Sequence, residues 1–216
     1  MLLLRSFLLA LREEGPRLTA ERIWTRLFGT EEYVVFIRPL EAAAEPFTLP
    51  VEIKGATVRP MREEDIDTVA RLMPFSLSRM PLAERRASLA RGWRESAVAQ
   101  CGERLVGAVW YLDSVGPNQP FYAVAKPYIR EPARLTAGMF VIPGEKVGSW
   151  AMVNAASQRL AALGVRCTVS AVRAGNKASM IMSRMHNGTL VARVSIRYRF
   201  GRRTTHAEPA SGRAEI

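Results

Sequence analysis

The sequence predicts an α+β fold, in which a mostly antiparallel sheet is flanked by helices and preceded by a helical N-terminal extension. From residue 51 onward, strand and helix patterns follow in the order β-α-α-β-β-β-α-β-α-β. One segment, 138–172, has the strand-helix-strand pattern of a parallel pair, which implies antiparallel pairing elsewhere. The composition, 48% hydrophobic and 24% charged, is that of an ordinary globular chain.

Residues 1–50 form the predicted extension. The first 28 residues contain two short helical patterns that are divided at Gly15-Pro16. We expect the apolar start, "MLLLRSFLLALREEG", to be a helix that packs on the domain or lies on a membrane or a partner, because it lacks the cleavage site of a signal peptide. The segment "EEYVVFIRPLE" is rich in β-branched and aromatic residues and predicts a strand, and 41–50 has the composition of a linker.

Residues 51–134 supply the first half of the predicted domain. A strand at "VEIKGATVRPM" is followed by "REEDIDTVARLM", where Ile66, Val69, Ala70 and Met73 have helical spacing. Pro81 opens a second helix. The segment "SAVAQCGERLVGAVWYLD" predicts a β-hairpin, and the proline-rich stretch that follows contains one short strand pattern, "FYAVA".

The segment "GMFVIPGEKVGSWAMVNAASQRLAALGV", 138–165, predicts a strand, a short polar loop and a long amphipathic helix. A loop at a helix N-terminus is suited to an anion, because free N–H groups and the helix dipole point at it. This loop has few glycines for a phosphate-binding loop.

The C-terminal part predicts a strand, "RCTVSAVR", and a helix, "NKASMIMSRMH", with Asn176 as its N-cap. His186, at the end of that helix, is expected at the surface. In "ARVSIRYRF" the residues Val194, Ile196, Tyr198 and Phe200 alternate with arginines, which predicts a half-buried strand with an outer basic stripe. The polar tail, 201–216, is expected to be disordered.

The charge of the chain is strongly positive. Its formal net charge is +11, and the excess lies in residues 51–200, with 22 Lys and Arg against 11 Asp and Glu. This balance fits an anionic partner or a solvated basic surface. The lack of a recognised motif or aromatic platform argues against nucleic acid.

The few cysteines and histidines limit the metal and disulfide chemistry that the chain can support. The chain has two cysteines, Cys101 and Cys167, and two histidines, without metal-ligand spacing. We therefore expect no metal, no disulfide framework and a cytoplasmic location. No apolar run approaches the ~18 residues that a membrane span needs.

Four stretches resemble the GNAT superfamily of CoA-dependent N-acyltransferases. They are "ATVRPMREEDIDTVARLM", "AVAQCGERLVGAVWYL", "FVIPGEKVGSWAM" and "VSAVRAGNKASMIMSRMHNGTLVARVSIRYRFGRR". The resemblance covers about 150 residues, 51–200, and lies in the order of the elements more than in any single motif. It implies the GNAT fold for this region and an acyl-CoA, such as acetyl-CoA, as co-substrate.

The resemblance also implies a cofactor site. Val141 and Pro143 match the family's "V-x-P", and Lys146 stands where its loop has a basic residue, although the loop is about three residues shorter. Asn176 matches the asparagine that contacts the cofactor arm. The implied cofactor-binding residues are Phe140, Val141, Ile142, Lys146, Val147, Gly148, Ser149, Asn176 and Ser179.

The catalytic residues depart from the family pattern. Family members often use a glutamate on the strand before the cofactor loop and a tyrosine in the helix after the asparagine. Here that strand, "ARLTAGMFVIP", has no carboxylate, and the tyrosine position is Ser183. Tyr198 and Tyr111 are the alternative proton donors, although aromatic residues at such positions are more often core.

The sequence therefore favours an acyl-CoA-dependent N-acyltransferase whose amine acceptor, a small molecule, peptide or protein, attacks the thioester directly. The alternative is a catalytically degenerate GNAT-like domain with a binding or regulatory role. The acyl chain length, peripheral membrane contact through the N-terminal helix and a homodimer remain open.

Overall fold

The structure, a computed structural model, describes residues 27–40, 56–73, 82–112, 121–142, 149–200 and 202–210, together with residues 11, 16–17, 19–21 and 23–25. Described residues between 16 and 28 are helical, as predicted. The predicted apolar N-terminal helix lies outside the described residues, apart from Leu11, and so does the linker at 41–50.

Eight strands form a single mixed sheet in the order β2-β3-β4-β5-β6-β1-β7-β8. The strands are β1 (Thr30–Pro39), β2 (Ala56–Pro60), β3 (Ala97–Cys101), β4 (Arg104–Leu112), β5 (Ala133–Val141), β6 (Cys167–Arg173), β7 (Thr189–Arg199) and β8 (Arg202–Pro209). β5 and β6 are parallel, and the other six neighbouring pairs are antiparallel. The predicted fold class and the single strand-helix-strand unit are thus confirmed.

In the described ranges from residue 56 onward, five α-helices cover the two faces of the sheet. They are α1 (Asp65–Leu72), α2 (Leu82–Gly92), α3 (Tyr122–Ala125), α4 (Ser149–Ala162) and α5 (Lys177–Met185). Buried residues of α1, α2 and α3 pack with one set of alternating strand residues, and buried residues of α4 and the half-buried Met180 of α5 pack with the other set. We call these sides the first face (α1–α3) and the second face (α4 and α5).

The predicted strand at "FYAVA" is wrong, because this segment forms α3. Phe121 and Ala125 are four residues apart, and both are buried in the cluster that covers β1, β6 and β7. Ala123, midway between them, is exposed, as the helical period of 3.6 requires; in a strand, whose period is two, it would share the buried side with Phe121 and Ala125.

The N-terminal strand lies inside the sheet. β1 pairs with β6 on one side and with β7 on the other. Val35 and Phe36 at its centre are 0% and 2% exposed. The boundary expected at residue 50 therefore does not separate this strand from the rest of the domain.

The C-terminal tail was expected to be disordered, but it contains β8. This strand pairs with β7 from Ala192↔Pro209 to Arg199↔Arg202. Backbone pairing needs no apolar side chains, so a polar composition concealed the strand. Phe200 does not continue the inward row of β7, because it adopts a positive φ of 48° in the turn to β8 and is exposed.

Within the described ranges, no helix is long and apolar enough to cross a membrane. The same ranges hold no group of three or more His, Cys, Asp or Glu side chains arranged to ligate a metal.

Candidate functional site

The sheet opens between β5 and β6. The two strands pair over three positions, Ala133–Leu135 with Cys167–Val169, although β5 continues to Val141 and β6 to Arg173. A cavity of about 580 Å³ lies in this opening and is lined by residues from both faces of the sheet. Because the ladder between the strands ends at Leu135, an extended ligand can pair with the edge of β5 as an added strand would.

A β-bulge lies in β5 at the opening. Trp110 pairs with Gly138, and Tyr111 pairs with Thr136, so Ala137 is an extra residue. A bulge bends its strand and increases the local twist, which favours the separation of β5 from β6. Gly138 is required here, because a Cβ at this position would lie 2.3 Å from the indole ring of Trp110.

The closed end of the cavity is the point at which β5 and β6 come together. On the second face, the Ser170 hydroxyl donates to the Thr136 hydroxyl at 3.0 Å across the two strands. Both residues line the cavity. The open end is the opposite end, where β5 runs out toward α4 and β6 toward α5.

Two helices begin at the open end. Asn176 caps α5, and its side-chain oxygen accepts from the Ser179 N–H at 3.1 Å. Ser149, the first residue of α4, donates its hydroxyl to the Met182 sulfur of α5 at 3.7 Å. The N–H groups and dipoles of two helix starts favour negative charge at this end.

The predicted cofactor residues fall into three groups. Ser149, Asn176 and Ser179 meet at the open end, where Asn176 and Ser179 line the cavity. Phe140 is buried and packs its ring against Trp110 at 6.3 Å between centroids, away from the cavity lining, and Val141 and Ile142 are half-buried beside it. Lys146, Val147 and Gly148 lie outside the described residues. Cofactor contact by any of these residues remains a prediction.

The closed end on the second face is lined by Arg38, Tyr111 and His186. Arg38 donates to the Ser157 hydroxyl at 2.8 Å and to the Asn154 side-chain oxygen at 3.3 Å. Burial lowers the pKa of Arg38. Burial also raises the pKa of Tyr111 to about 12, an effect that Arg38 and Ser157 partly oppose. Tyr111 is therefore a neutral phenol at neutral pH.

His186 is the third of these side chains, and its expected surface position is wrong. It is 6% exposed and lines the cavity. The segment after α5 turns inward, since the His186 N–H bonds the Met182 carbonyl and Asn187 takes a positive φ of 56°. Burial, followed by the charge of Arg38, lowers the pKa of His186 to about 4, so its imidazole is neutral at pH 7.

The first face carries a separate polar cluster around Glu31. The Glu31 carboxylate accepts from Arg173 at 3.0 Å, from the Tyr33 hydroxyl at 3.1 Å and from the Tyr198 hydroxyl at 3.3 Å. Tyr33 and Arg173 line the cavity. Burial and the Glu31 charge raise the pKa of Tyr33.

The three catalytic candidates have different positions. Ser183 and Tyr111 line the cavity on the second face, and the Ser183 hydroxyl donates to the Ser179 carbonyl at 2.9 Å. Tyr198 is not among the described residues that line the cavity, although it reaches Glu31 from the first face. The positions of Ser183, Tyr111 and Tyr198 do not test whether they take part in catalysis, and a catalytic role remains a prediction for each residue.

Sequence reasoning missed Tyr33 and Arg38, which line the cavity, and Glu31, which accepts from Tyr33, because it placed their strand in the extension. Their alternation in "EEYVVFIRP" was a usable signal, since it puts Glu31 and Tyr33 on one side of β1 and Arg38 on the other. A charged residue that follows four buried strand positions is a further indication of a polar site.

Solved structures match this arrangement over most of the chain. A GCN5-related N-acetyltransferase from Sphaerobacter thermophilus matches with a TM-score of 0.54 and 15% identity, covering 89% of this chain and 56% of that one. A GNAT-family acetyltransferase from Novosphingobium aromaticivorans has a TM-score of 0.53 and 12% identity, covering 84% and 66%. A tandem GNAT protein from the clavulanic acid biosynthesis pathway has a TM-score of 0.52 and 13% identity, covering 94% and 60%.

The chain has the GNAT fold. The expectation from the four sequence stretches is thereby confirmed for the fold. The matched coverage of 84% to 94% of the chain exceeds the 150 residues on which that expectation rested.

This chain covers between 56% and 66% of the length of the chains in these three structures. A scan against protein-family models found no match, and a search of curated proteins found none either. The structure therefore establishes the GNAT fold, and the activity of the protein is addressed by a proposal.

Proposed function

We propose that this protein is an acyl-CoA-dependent N-acyltransferase that carries out its reaction in the cavity between β5 and β6. The observation that carries the proposal is the fork of these strands: a cavity of about 580 Å³ crosses the sheet, with two helix starts at its open end. This geometry suits a long thioester with an extended amide-bearing arm and a phosphorylated end.

The cofactor arm would lie along β5 beyond Leu135. Its amide groups can pair with the strand edge there, as in strand addition. The phosphates would lie at the start of α4, close in sequence to Lys146 of the predicted phosphate loop. The helix dipole favours negative charge at this position. Asn176 would contact the arm from the opposite side, as the resemblance implies.

The amine acceptor would approach from the first face. Attack on the thioester carbonyl forms a C–N bond, breaks the C–S bond, releases a proton from the amine and leaves a thiolate that needs a proton. The Tyr33 hydroxyl at the cavity wall and the Glu31 carboxylate behind it form a route for the amine proton.

Tyr111 is our candidate donor to the thiolate. Its pKa of about 12 keeps its proton in place at neutral pH, and it lines the cavity on the second face, opposite the face from which the amine would approach. Positioning of the amine against the thioester supplies much of the rate in such a reaction, so a modest donor suffices.

A degenerate binding domain is the second candidate function. It is favoured by Ser183, which occupies the family's tyrosine position and directs its hydroxyl to the Ser179 carbonyl. Such a domain would bind the CoA thioester without turnover.

Calorimetry with acetyl-CoA tests the shared step of both candidates. We expect saturable binding by the wild-type protein and its loss in Gly148→Glu, which would place a carboxylate in the predicted phosphate loop. Thr204→Glu, on the exposed strand β8, adds the same charge elsewhere and should bind as the wild type does. Absence of binding to acetyl-CoA and longer acyl-CoAs would overturn the proposed function.

Turnover separates the two candidates. Release of free CoA thiol in the presence of a panel of primary amines, above the rate without amine, supports the enzyme. Binding without amine-dependent thiol release supports the degenerate domain.

A further inference from the structure

Arg38 lies at the closed end of the cavity, on the second face. It pairs with Thr168, whereas Phe36 pairs with Ser170, the residue that bridges to Thr136. Arg38 is therefore two strand residues, about 6–7 Å, deeper than that bridge. The open end, with the starts of α4 and α5, lies in the opposite direction.

The charge of Arg38 has only neutral partners among the described residues. Its two hydrogen bonds go to a hydroxyl, Ser157, and an amide oxygen, Asn154. A guanidinium has five N–H donors, so it can donate to a further acceptor. In the ranges that the structure describes, no carboxylate is within ion-pair distance of Arg38.

Three other partly buried arginines of this protein are paired with carboxylates, whereas the buried Arg85 donates to the carbonyls of Ala70 and Met73. Each of three has a carboxylate partner, at 2.7, 2.5 and 3.0 Å: Arg59 with Asp65, Arg134 with Glu95, and Arg173 with Glu31. A partly buried charge without such a partner is costly, and a cavity that ends on one is suited to an anionic ligand group.

The neighbours of Arg38 do not cancel its charge. Tyr111 and His186 are neutral at pH 7, so neither cancels the positive charge of Arg38. Hydrogen-bonding side chains such as Ser170 line the cavity beside apolar ones such as Phe36 and Val153, and a plain fatty acyl chain would leave the Arg38 guanidinium without an anionic partner.

We propose that Arg38 determines acyl specificity by binding a carboxylate at the far end of the acyl group, so that the donor is a dicarboxylic acyl-CoA such as succinyl-CoA. This inference rests on the proposed function. In the proposed arrangement the phosphates of the donor lie at the open end, and the amine enters from the first face beside Tyr33, where Arg173 is already paired with Glu31. The acyl terminus is thus the ligand part that reaches Arg38.

Binding of matched thioesters tests the inference. Succinyl-CoA and butyryl-CoA have acyl chains of equal length and differ in the terminal carboxylate. We expect wild-type protein to bind succinyl-CoA about 10-fold or more tightly than butyryl-CoA by calorimetry, as a charged hydrogen-bonded pair would give. Arg38→Gln should reduce that ratio to about 2-fold or less, while Arg193→Gln, an exposed arginine on β7, should leave it unchanged.

A spectroscopic readout is independent of the variants. The succinyl carboxylate should neutralise the charge of Arg38, so saturation with succinyl-CoA should raise the pKa of His186 above its value of about 4. The pKa of His186 should also be higher in the succinyl-CoA complex than in the butyryl-CoA complex. NMR titration of the two histidines gives this value, with exposed His206 as the internal reference.

The outcomes distinguish the two proposals. Equal affinity of wild-type protein for succinyl-CoA and butyryl-CoA overturns the role of Arg38 and leaves the proposed function standing. Failure of acetyl-CoA, butyryl-CoA and succinyl-CoA alike to bind overturns the proposed function, and the inference with it.

Discussion

His186 connects the cavity to the stability of the protein. Its imidazole is buried beside the positive charge of Arg38, and both effects favour the neutral form. Its folded-state pKa of about 4 lies below the ordinary value of 6.5, so between these values the unfolded chain binds more protons than the folded one. The contribution of this residue to stability is therefore complete above pH 6.5 and is lost as the pH falls toward 4.

We predict that His186→Gln reduces the acid sensitivity of the fold. Between pH 7 and pH 5, the wild-type free energy of unfolding should fall by roughly 1–2 kcal/mol more than that of the variant, because only the wild type must keep this imidazole uncharged. Urea unfolding at the two pH values measures the difference. Equal losses would show that His186 does not titrate as a buried group.

The site could be predicted from the sequence only where a local motif reports it. Asn176 could be predicted as the N-cap of α5, because an N-cap depends only on neighbouring residues. The alternation in β1 puts Glu31 and Arg38 on opposite sides of the strand, but it does not show what they face, because that depends on a strand pairing across more than a hundred residues. His186 was misplaced since nothing in "SRMHNG" shows that the chain turns inward there.

Gly138 sets the path of β5 at the scale of the element. The indole ring of Trp110 occupies the position that any side chain at 138 would take, and the bulge at Ala137 lies next to it. Trp110 is itself 1% exposed and packs among α1, α2 and β5. The ring therefore cannot move aside without disturbing the core.

We predict that Gly138→Ala destabilises the protein by about 1–3 kcal/mol, as overpacking of a core does. It should also weaken acetyl-CoA binding, because the adjoining edge of β5 forms the cavity wall. Gly175→Ala is the matched control, since a Cβ there meets no atom within 4 Å and the residue is exposed. Thermal unfolding of both variants measures the effect, and equal melting temperatures would contradict the proposed contact.

The whole molecule depends on β1. This strand contributes buried residues to both faces and separates β6 from β7 in the sheet. The elements from residue 56 to 199 could be predicted from local periodicity, and most were. The place of β1 could not, because hydrophobic pattern shows that a segment is a strand without showing which strands it joins.

We predict that deletion of residues 1–40 prevents folding. Without β1, the facing edges of β6 and β7 would lose their backbone partners and the core would lose Val35 and Phe36. Deletion of residues 211–216, beyond β8, should leave the melting temperature unchanged. Circular dichroism and gel filtration compare the two, and a folded monomer lacking residues 1–40 would contradict this role.

The position of β1 also sets the timing of folding during synthesis. Tyr33 pairs with Arg173 and Val194, so β1 must await partners made more than a hundred residues later in synthesis. Contacts of such sequence separation form slowly, since the chain loses loop entropy before they stabilise it. Arg38 at the closed end and Glu31 behind Tyr33 are part of this strand, and so the cavity gains both charged side chains only after β6 and β7 have been made.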